Sequence, residues 1–217
     1  MSQDNLDAGY RRFREAMQEG TLRPGMTVTQ NELCAMLGLS LTPLRETLVL
    51  LQEFGLVEVR QRAGIRIIYP EVAFIRENFQ FRSVIELHAI RIFAPIVPKD
   101  WLNSMKMQNE AILTKVKRED PSLEVEGTFL KLDSEFHSAF VRSLDNHAIT
   151  SAHNRIMDNI RLARQVHDRT ALRKRITDST GEHLAILRSL ERGDPEEAAS
   201  NLDIHFRAST YRTIVAA

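Results

Sequence analysis

Between Thr29 and Gly55 two short helical patterns meet across a link that leaves room only for a sharp turn. Thr29 stands where an N-cap belongs, ahead of a helix from Gln30 to Leu37, and Gly38 stops that helix. Ser40 or Thr42 offers a cap for the next helix and Pro43 suits its first turn. That helix runs to about Phe54 with Leu44, Leu48 and Leu51 on one face, and Gly55 ends it. Two helices joined by Leu37-Gly38-Leu39-Ser40 fit a helix-turn-helix, whose second helix enters the major groove of DNA. Upstream, Leu6 to Glu19 places Tyr10, Phe13 and Met17 at helical spacing before Gly20 and the turn Arg23-Pro24-Gly25. Downstream, Leu56 to Arg60 and Ile65 to Tyr69, joined by Gln61-Arg62-Ala63-Gly64, predict a β-hairpin that would serve as a wing.

Past residue 70 the pattern changes. Residues 71–217 hold only Gly127, Gly181 and Gly193 and show no strand-like alternation. They predict helices at about 71–96, 99–118, 123–144, 147–168, 170–192 and 195–213. Pro98, Pro121 and Pro195 fall near helix starts, where a missing N–H costs little. Pro95 kinks or ends the first of these helices. The expected fold is mainly α: a winged helix-turn-helix over residues 1–70, then an antiparallel all-helical bundle over 71–217. A chain of 217 residues can bury a core in each part. No apolar run reaches the roughly 18 residues that span a membrane, and Met1 to Tyr10 is polar rather than signal-like. The single cysteine, Cys34, lies among Leu33, Ala35, Met36 and Leu37 and reads as a small core side chain in a reducing compartment. The expectation is a cytoplasmic protein with no membrane partner.

Charge alone does not point to DNA. The chain carries 29 Lys+Arg against 29 Asp+Glu, and residues 1–70 carry 8 Arg and no Lys against 8 acidic residues. A basic domain is the usual footprint of nucleic-acid binding, so the expectation rests on placement. Thr42 and Arg45 lie on the first turns of the second helix, from which Arg45 can reach a guanine or a phosphate, or else pair with a neighbouring glutamate. Arg60, Arg62 and Arg66 sit on the wing, where each can contact phosphate or the minor groove or simply face solvent.

At these residues a resemblance appears. Gly20-Thr21-Leu22-Arg23-Pro24-Gly25 resembles the G-x-L-x-P-G signature of GntR-family regulators. The stretch from Leu33 to Leu48, with Leu37-Gly38-Leu39-Ser40-Leu41-Thr42-Pro43-Leu44-Arg45-Glu46 at its centre, is similar to their L-A-x-x-L-G-V-S-R-T-P-V-R-E-A-L segment. Phe54-Gly55-Leu56-Val57 matches their E-G-L-V lead-in to the wing. Leu41 stands where the family has an arginine that commonly touches DNA, a departure that bears on operator sequence and affinity rather than on fold.

A second constellation lies in the helical part. Asp133 and His137 are four residues apart, so one helix face carries both. His183 and His205 sit in later helices among apolar neighbours. One carboxylate and three imidazoles from three helices form an N/O donor set suited to Zn²⁺, Ni²⁺, Mn²⁺ or Fe²⁺. A histidine on an apolar face also serves as an ordinary core residue, and spacing alone leaves both readings open; the ordinary reading is the one taken for His88, His147, His153 and His167. The segment from Glu182-His183 through Gly193-Asp194-Pro195 to His205 resembles the H-x-x-I-x-x-A-I-x-x-G-D-x-x-x-A…H pattern of the FadR C-terminal (FCD) class of GntR regulators, and Asp133 and His137 match its D-x-x-x-H. That resemblance implies a divalent metal, Zn²⁺ first among the candidates, held by Asp133, His137, His183 and His205, and a carboxylate effector bound with its help. It also implies an arginine from the domain's first helix facing the effector. Arg82 is the candidate, with an ion pair to Glu86 one turn on as the competing reading, and Arg161 and Arg164 are weaker candidates from a later helix.

Taken together, the sequence predicts a DNA-binding regulator, a repressor by family default, that binds operator DNA as a homodimer and answers to a small carboxylate. One alternative is a DNA-binding protein with a purely structural metal. Another is a metal-dependent hydrolase, for which the sequence has no H-E-x-x-H and no phosphate loop. The expectation is therefore not an enzyme.

Overall fold

The computed structural model describes residues 3–53, 55–60, 63–68, 72–118, 121–164 and 170–215. By contacts the chain divides into two compact units, Met1–Phe74 with Arg161–Val166, and Ile75–Ile160 with His167–Ala217. The first unit orders its elements as α1 (Gln3–Gln18), β1 (Thr27–Val28), α2 (Gln30–Leu37), α3 (Leu41–Glu53), β2 (Val57–Arg60) and β3 (Gly64–Ile67). α2 opens with a reciprocal cap: the Glu32 backbone N–H donates to Thr29 Oγ1 while Glu32 accepts from the Thr29 N–H. It closes at Gly38, whose φ of 59° lies in the left-handed region that a glycine enters without strain. The chain then bends by 97° into α3, within the usual range for a helix-turn-helix.

The strands form an antiparallel sheet in the order β1-β3-β2, with Val28 opposite Ile65 and Val57 opposite Ile67. β1 has no counterpart in the sequence reading, because two residues are too few to show a period. Gly64 is required there: a Cβ on it would lie 2.7 Å from the Val28 carbonyl oxygen. The predicted second wing strand is shifted, since β3 is Gly64–Ile67 and Tyr69 lies outside the described residues. Phe13, Leu22, Leu33, Leu44, Leu51, Leu56, Ile65 and Ile67 make a shared core, and each such side chain contributes about 1.5–3 kcal/mol by leaving water.

The second unit takes most of α4 (Val72–Phe93), then α5 (Lys99–Arg118), α6 (Leu123–Arg142), α7 (His147–Arg164, shared with the first unit), α8 (Thr170–Glu191) and α9 (Pro195–Val215). α4 ends at Phe93 rather than at residue 96, because Pro95 has no N–H to continue the ladder and a 3₁₀ turn follows. Residues 165–168 of the helix expected to 168 lie outside the described residues. α8 packs against both α5 and α9, and Phe129, Phe136 and Phe140 of α6, Ile176 and Leu187 of α8 and Leu202 of α9 are buried. Among the described residues no single helix is long and apolar enough to cross a membrane.

Candidate metal centre and DNA face

On the first unit, Leu41, Thr42 and Arg45 are all exposed at the start of α3. Arg45 has no ion-pair partner among the described residues, so the competing reading of a local pair with glutamate is not realised. Arg60 pairs with Glu58 at 2.8 Å, and Arg66 stands opposite Glu58 in the strand register. Glu58 therefore offsets part of the wing's positive charge. Arg62 lies outside the described residues.

In the second unit α6, α8 and α9 bring His137, His183 and His205 together with their ligating nitrogens all within 4.8 Å of one another, and all three rings are buried. Asp133, one turn before His137, reaches the same place: its Oδ1 lies 3.8 Å from His137 Nε2 and 3.6 Å from His183 Nε2. The four residues singled out in sequence thus converge from three helices. The rings stack on their surroundings, His183 on Phe136 at 4.3 Å and His137 beside His205 at 5.2 Å between centroids.

Carboxylates behind the rings set the tautomers. His137 Nδ1 lies 2.6 Å from Glu86 Oε2, and His205 Nδ1 lies 2.7 Å from Glu182 Oε2. Burial alone would raise the Glu86 carboxyl, but Arg82, His137 and His153 outweigh it and hold the group well below its ordinary value. Burial likewise opposes, and Arg212 and His205 overcome it, to leave Glu182 at about 2. Both are carboxylates that only accept, so the two Nδ1 atoms donate and each Nε2 keeps its lone pair. Those Nε2 atoms, with both ring nitrogens of His183, are buried without a hydrogen-bond partner. Burial lowers all three histidines, His137 to about 4, with Arg82 nearby adding to the effect. They are neutral at pH 7, the state in which imidazole binds a metal.

The donor set fits a divalent ion. Four N/O ligands at about 2.0–2.1 Å from Zn²⁺ stand roughly 3.4 Å apart, a separation inside the 4.8 Å within which the three histidines' ligating nitrogens already lie. A buried lone pair with no donor facing it is costly, and here three histidines contribute such nitrogens to one place.

Arg82 combines the two readings its sequence allowed. Its Nε donates to Glu86 Oε1 at 2.7 Å, completing the i,i+4 pair, while Nη1 and Nη2 are buried with no partner among the described residues. Its guanidinium lies 4.9 Å over the Phe206 ring, and its charge acts on all three histidines. Arg161 is half-buried and Arg164 buried on the last turn of α7, in the segment that groups with the first unit, whereas the histidine cluster belongs to the second.

Sequence reasoning missed Glu86 as an orienting carboxylate, noting it only as a partner for Arg82. It also missed Glu182, which turns to His205 and Arg212. His153 is buried, and its Nε2 donates to Glu86 Oε1 at 2.7 Å; it is a satisfied core histidine that also supports the cluster. His88 and His147 are exposed, and His167 lies outside the described residues.

The pattern that defines the gntR family of bacterial regulatory proteins matches residues 8–67, and that of the FCD domain matches residues 77–208. Among curated relatives, a probable D-xylose utilization operon transcriptional repressor of Paenarthrobacter nicotinovorans is 29% identical over 192 residues, which cover 88% of this chain and 80% of the relative. Among solved structures, a GntR transcriptional regulator from Rhodococcus sp. RHA1 superposes with a TM-score of 0.74 at 20% identity, over 99% of this chain and 100% of the other. An FCD domain solved metal-free and with Zn²⁺ bound covers 67% of this chain in each case and 95% and 94% of its own, with TM-scores of 0.56 and 0.53 at 25% and 24% identity.

Proposed function

The chain belongs to the GntR family of bacterial transcriptional regulators, with an FCD domain behind its DNA-binding unit, and we propose that it is a repressor whose operator binding is controlled by a small carboxylate held beside a divalent metal. The observation that carries this reading is the set of partnerless Nε2 atoms on His137, His183 and His205, with Asp133 beside them. These four residues would hold the metal, and Zn²⁺ suits three nitrogens and one carboxylate best. The metal supplies a Lewis-acidic position for a carboxylate oxygen. Arg82 presents the two Nη groups that Glu86 leaves free, a planar match to the same carboxylate. Arg161 and Arg164 stay candidates on sequence grounds alone.

On the DNA side, Thr42 and Arg45 enter the major groove, and Arg66 with Arg60 and Arg62 meets the backbone from the wing. One recognition helix reads too few base pairs for a specific regulator, so the protein acts as a homodimer on a near-palindromic site. Phe81, Val84 and Ile92 leave an exposed apolar stripe on α4 that supports self-association, with Phe81 52% and Val84 70% exposed. Enzymatic use of the metal is disfavoured, because Glu135 is paired with Arg142 and Glu182 with His205 and Arg212, leaving neither as a general base. A regulator of this kind works in the cytoplasm.

The test is to select bound fragments from random DNA with the metal-loaded chain, then to titrate carboxylic acids against the complex before and after chelation. Release by an acid that disappears on chelation supports the reading. Release that ignores chelation contradicts a metal-held effector, and stability that depends on metal with no acid causing release points to a purely structural ion.

A further inference from the structure

For a helix that is to lie against DNA, α3 is poor in positive charge: Arg45 is its one cation. Leu44, Thr47, Leu48 and Leu51 turn into the core. That leaves Leu41, Arg45 and Val49 as a row, one turn apart, on the exposed side, with Thr42 beside it. Leu41 is 44% and Val49 66% exposed. An exposed apolar side chain is ordinary when it stands alone. Leu41 has company: it is the first residue of α3, directly after the 97° bend, and lies one turn before Arg45 on the same side. In a helix-turn-helix the opening positions of the second helix are the ones that meet base edges.

A leucine has one partner to choose in the major groove. It offers no donor and no acceptor, and the apolar group displayed there is the C5-methyl of thymine. Set against the N4 amino group of cytosine or the O6 and N7 of guanine, a leucine strips water from a polar edge and returns no hydrogen bond. Phosphate contacts do not replace such a reading, because they carry no sequence information, and Glu58 already offsets part of the wing's charge. Residues four apart are separated by about 6 Å along a helix, and base pairs by about 3.4 Å along DNA. We infer that Leu41 is a specificity-determining residue that packs on a thymine methyl, within about two base pairs of the base that Arg45 reads. The inference rests on the reading that α3 enters the major groove and deepens it by naming one base of the half-site.

The test starts from DNA selected out of a random pool by the metal-loaded full chain. Each thymine of the selected half-site is replaced in turn by deoxyuridine, which removes the methyl and leaves the hydrogen-bonding edge as it was. Affinity is read by fluorescence anisotropy. One replacement, within about two base pairs of the base at which Arg45→Ala loses discrimination, should weaken binding about 4-fold, the worth of one buried methyl. Leu41→Ala, three carbons shorter, should bind the thymine and deoxyuridine forms alike, while Val49→Ala should keep the difference between them. Because its side chain is exposed, Leu41→Ala should melt and sediment as the parent does; a shift towards monomer would assign the leucine to self-association and overturn the contact. No thymine whose methyl matters, a difference that survives Leu41→Ala, or one that vanishes in Val49→Ala, overturns the assignment to Leu41 and leaves the DNA reading standing. Selection that enriches no sequence, or sites bound alike by the parent, Leu41→Ala and Arg45→Ala, sinks the major-groove reading of α3 and the inference with it.

Discussion

Glu86 is fully buried yet ionised, and it spends its two oxygens on Arg82, His137 and His153. It ties the candidate effector arginine to a candidate metal ligand. Glu86→Gln removes the charge that fixes the His137 tautomer and should weaken Zn²⁺ binding about 10–100-fold in competition with a chromophoric chelator. Arg91→Ala, which breaks an exposed pair with Glu196, should leave that affinity unchanged. Acid should also be felt at these residues. The ordinary histidine value is 6.5 and His137 titrates at about 4 in the fold, with His183 and His205 shifted the same way. The unfolded chain then binds protons first as the pH falls, so the stability these rings contribute is present above about 6.5 and is lost towards about 4. Melting of the chelated protein should decline from pH 7 to 5; a flat profile across that window would mean that the rings are not buried neutral.

At the level of elements, the turn and the recognition helix carry the DNA claim. Gly38→Val forces a β-branched residue into left-handed backbone and should cost about 1–2 kcal/mol of stability in denaturant melts. Arg45→Ala leaves α3 intact and should weaken operator binding by about 1–3 kcal/mol, read by fluorescence anisotropy; unchanged affinity would remove Arg45 from the interface. The helix-turn-helix was legible because its boundaries are marked by local signals: Thr29 at the first cap, then Gly38, then Pro43 and Gly55. Spacing alone left Asp133, His137, His183 and His205 open between a metal site and ordinary core residues, and the resemblance of the D-x-x-x-H and later histidine segments to the FCD pattern is what singled the four out together. Features that depend on tertiary contact were not legible. β1 is recognisable only from its pairing with β3. The partnership of Glu182 with His205 joins two helices, and the grouping of Arg161–Val166 with the first unit has no marker in the chain itself.

For the whole molecule, the proposal joins a DNA-reading unit to an effector-reading unit through linkage. If the acid weakens operator binding by some factor, operator DNA must weaken acid binding by the same factor. Two copies are needed for a palindromic site, so Val84→Asp on the exposed stripe of α4 should shift the protein towards monomer in sedimentation and lower its operator affinity, while leaving the metal centre loaded. A variant that stays dimeric would place the interface elsewhere. The metal centre is the point from which the rest of the account follows, and the most direct measurement is the metal content of the purified chain after equilibration with Zn²⁺ and removal of free ion, compared with His183→Ala. The account predicts about one ion per chain in the parent and none retained by the variant. A parent that holds no ion, or a variant that holds as much as the parent, would contradict it.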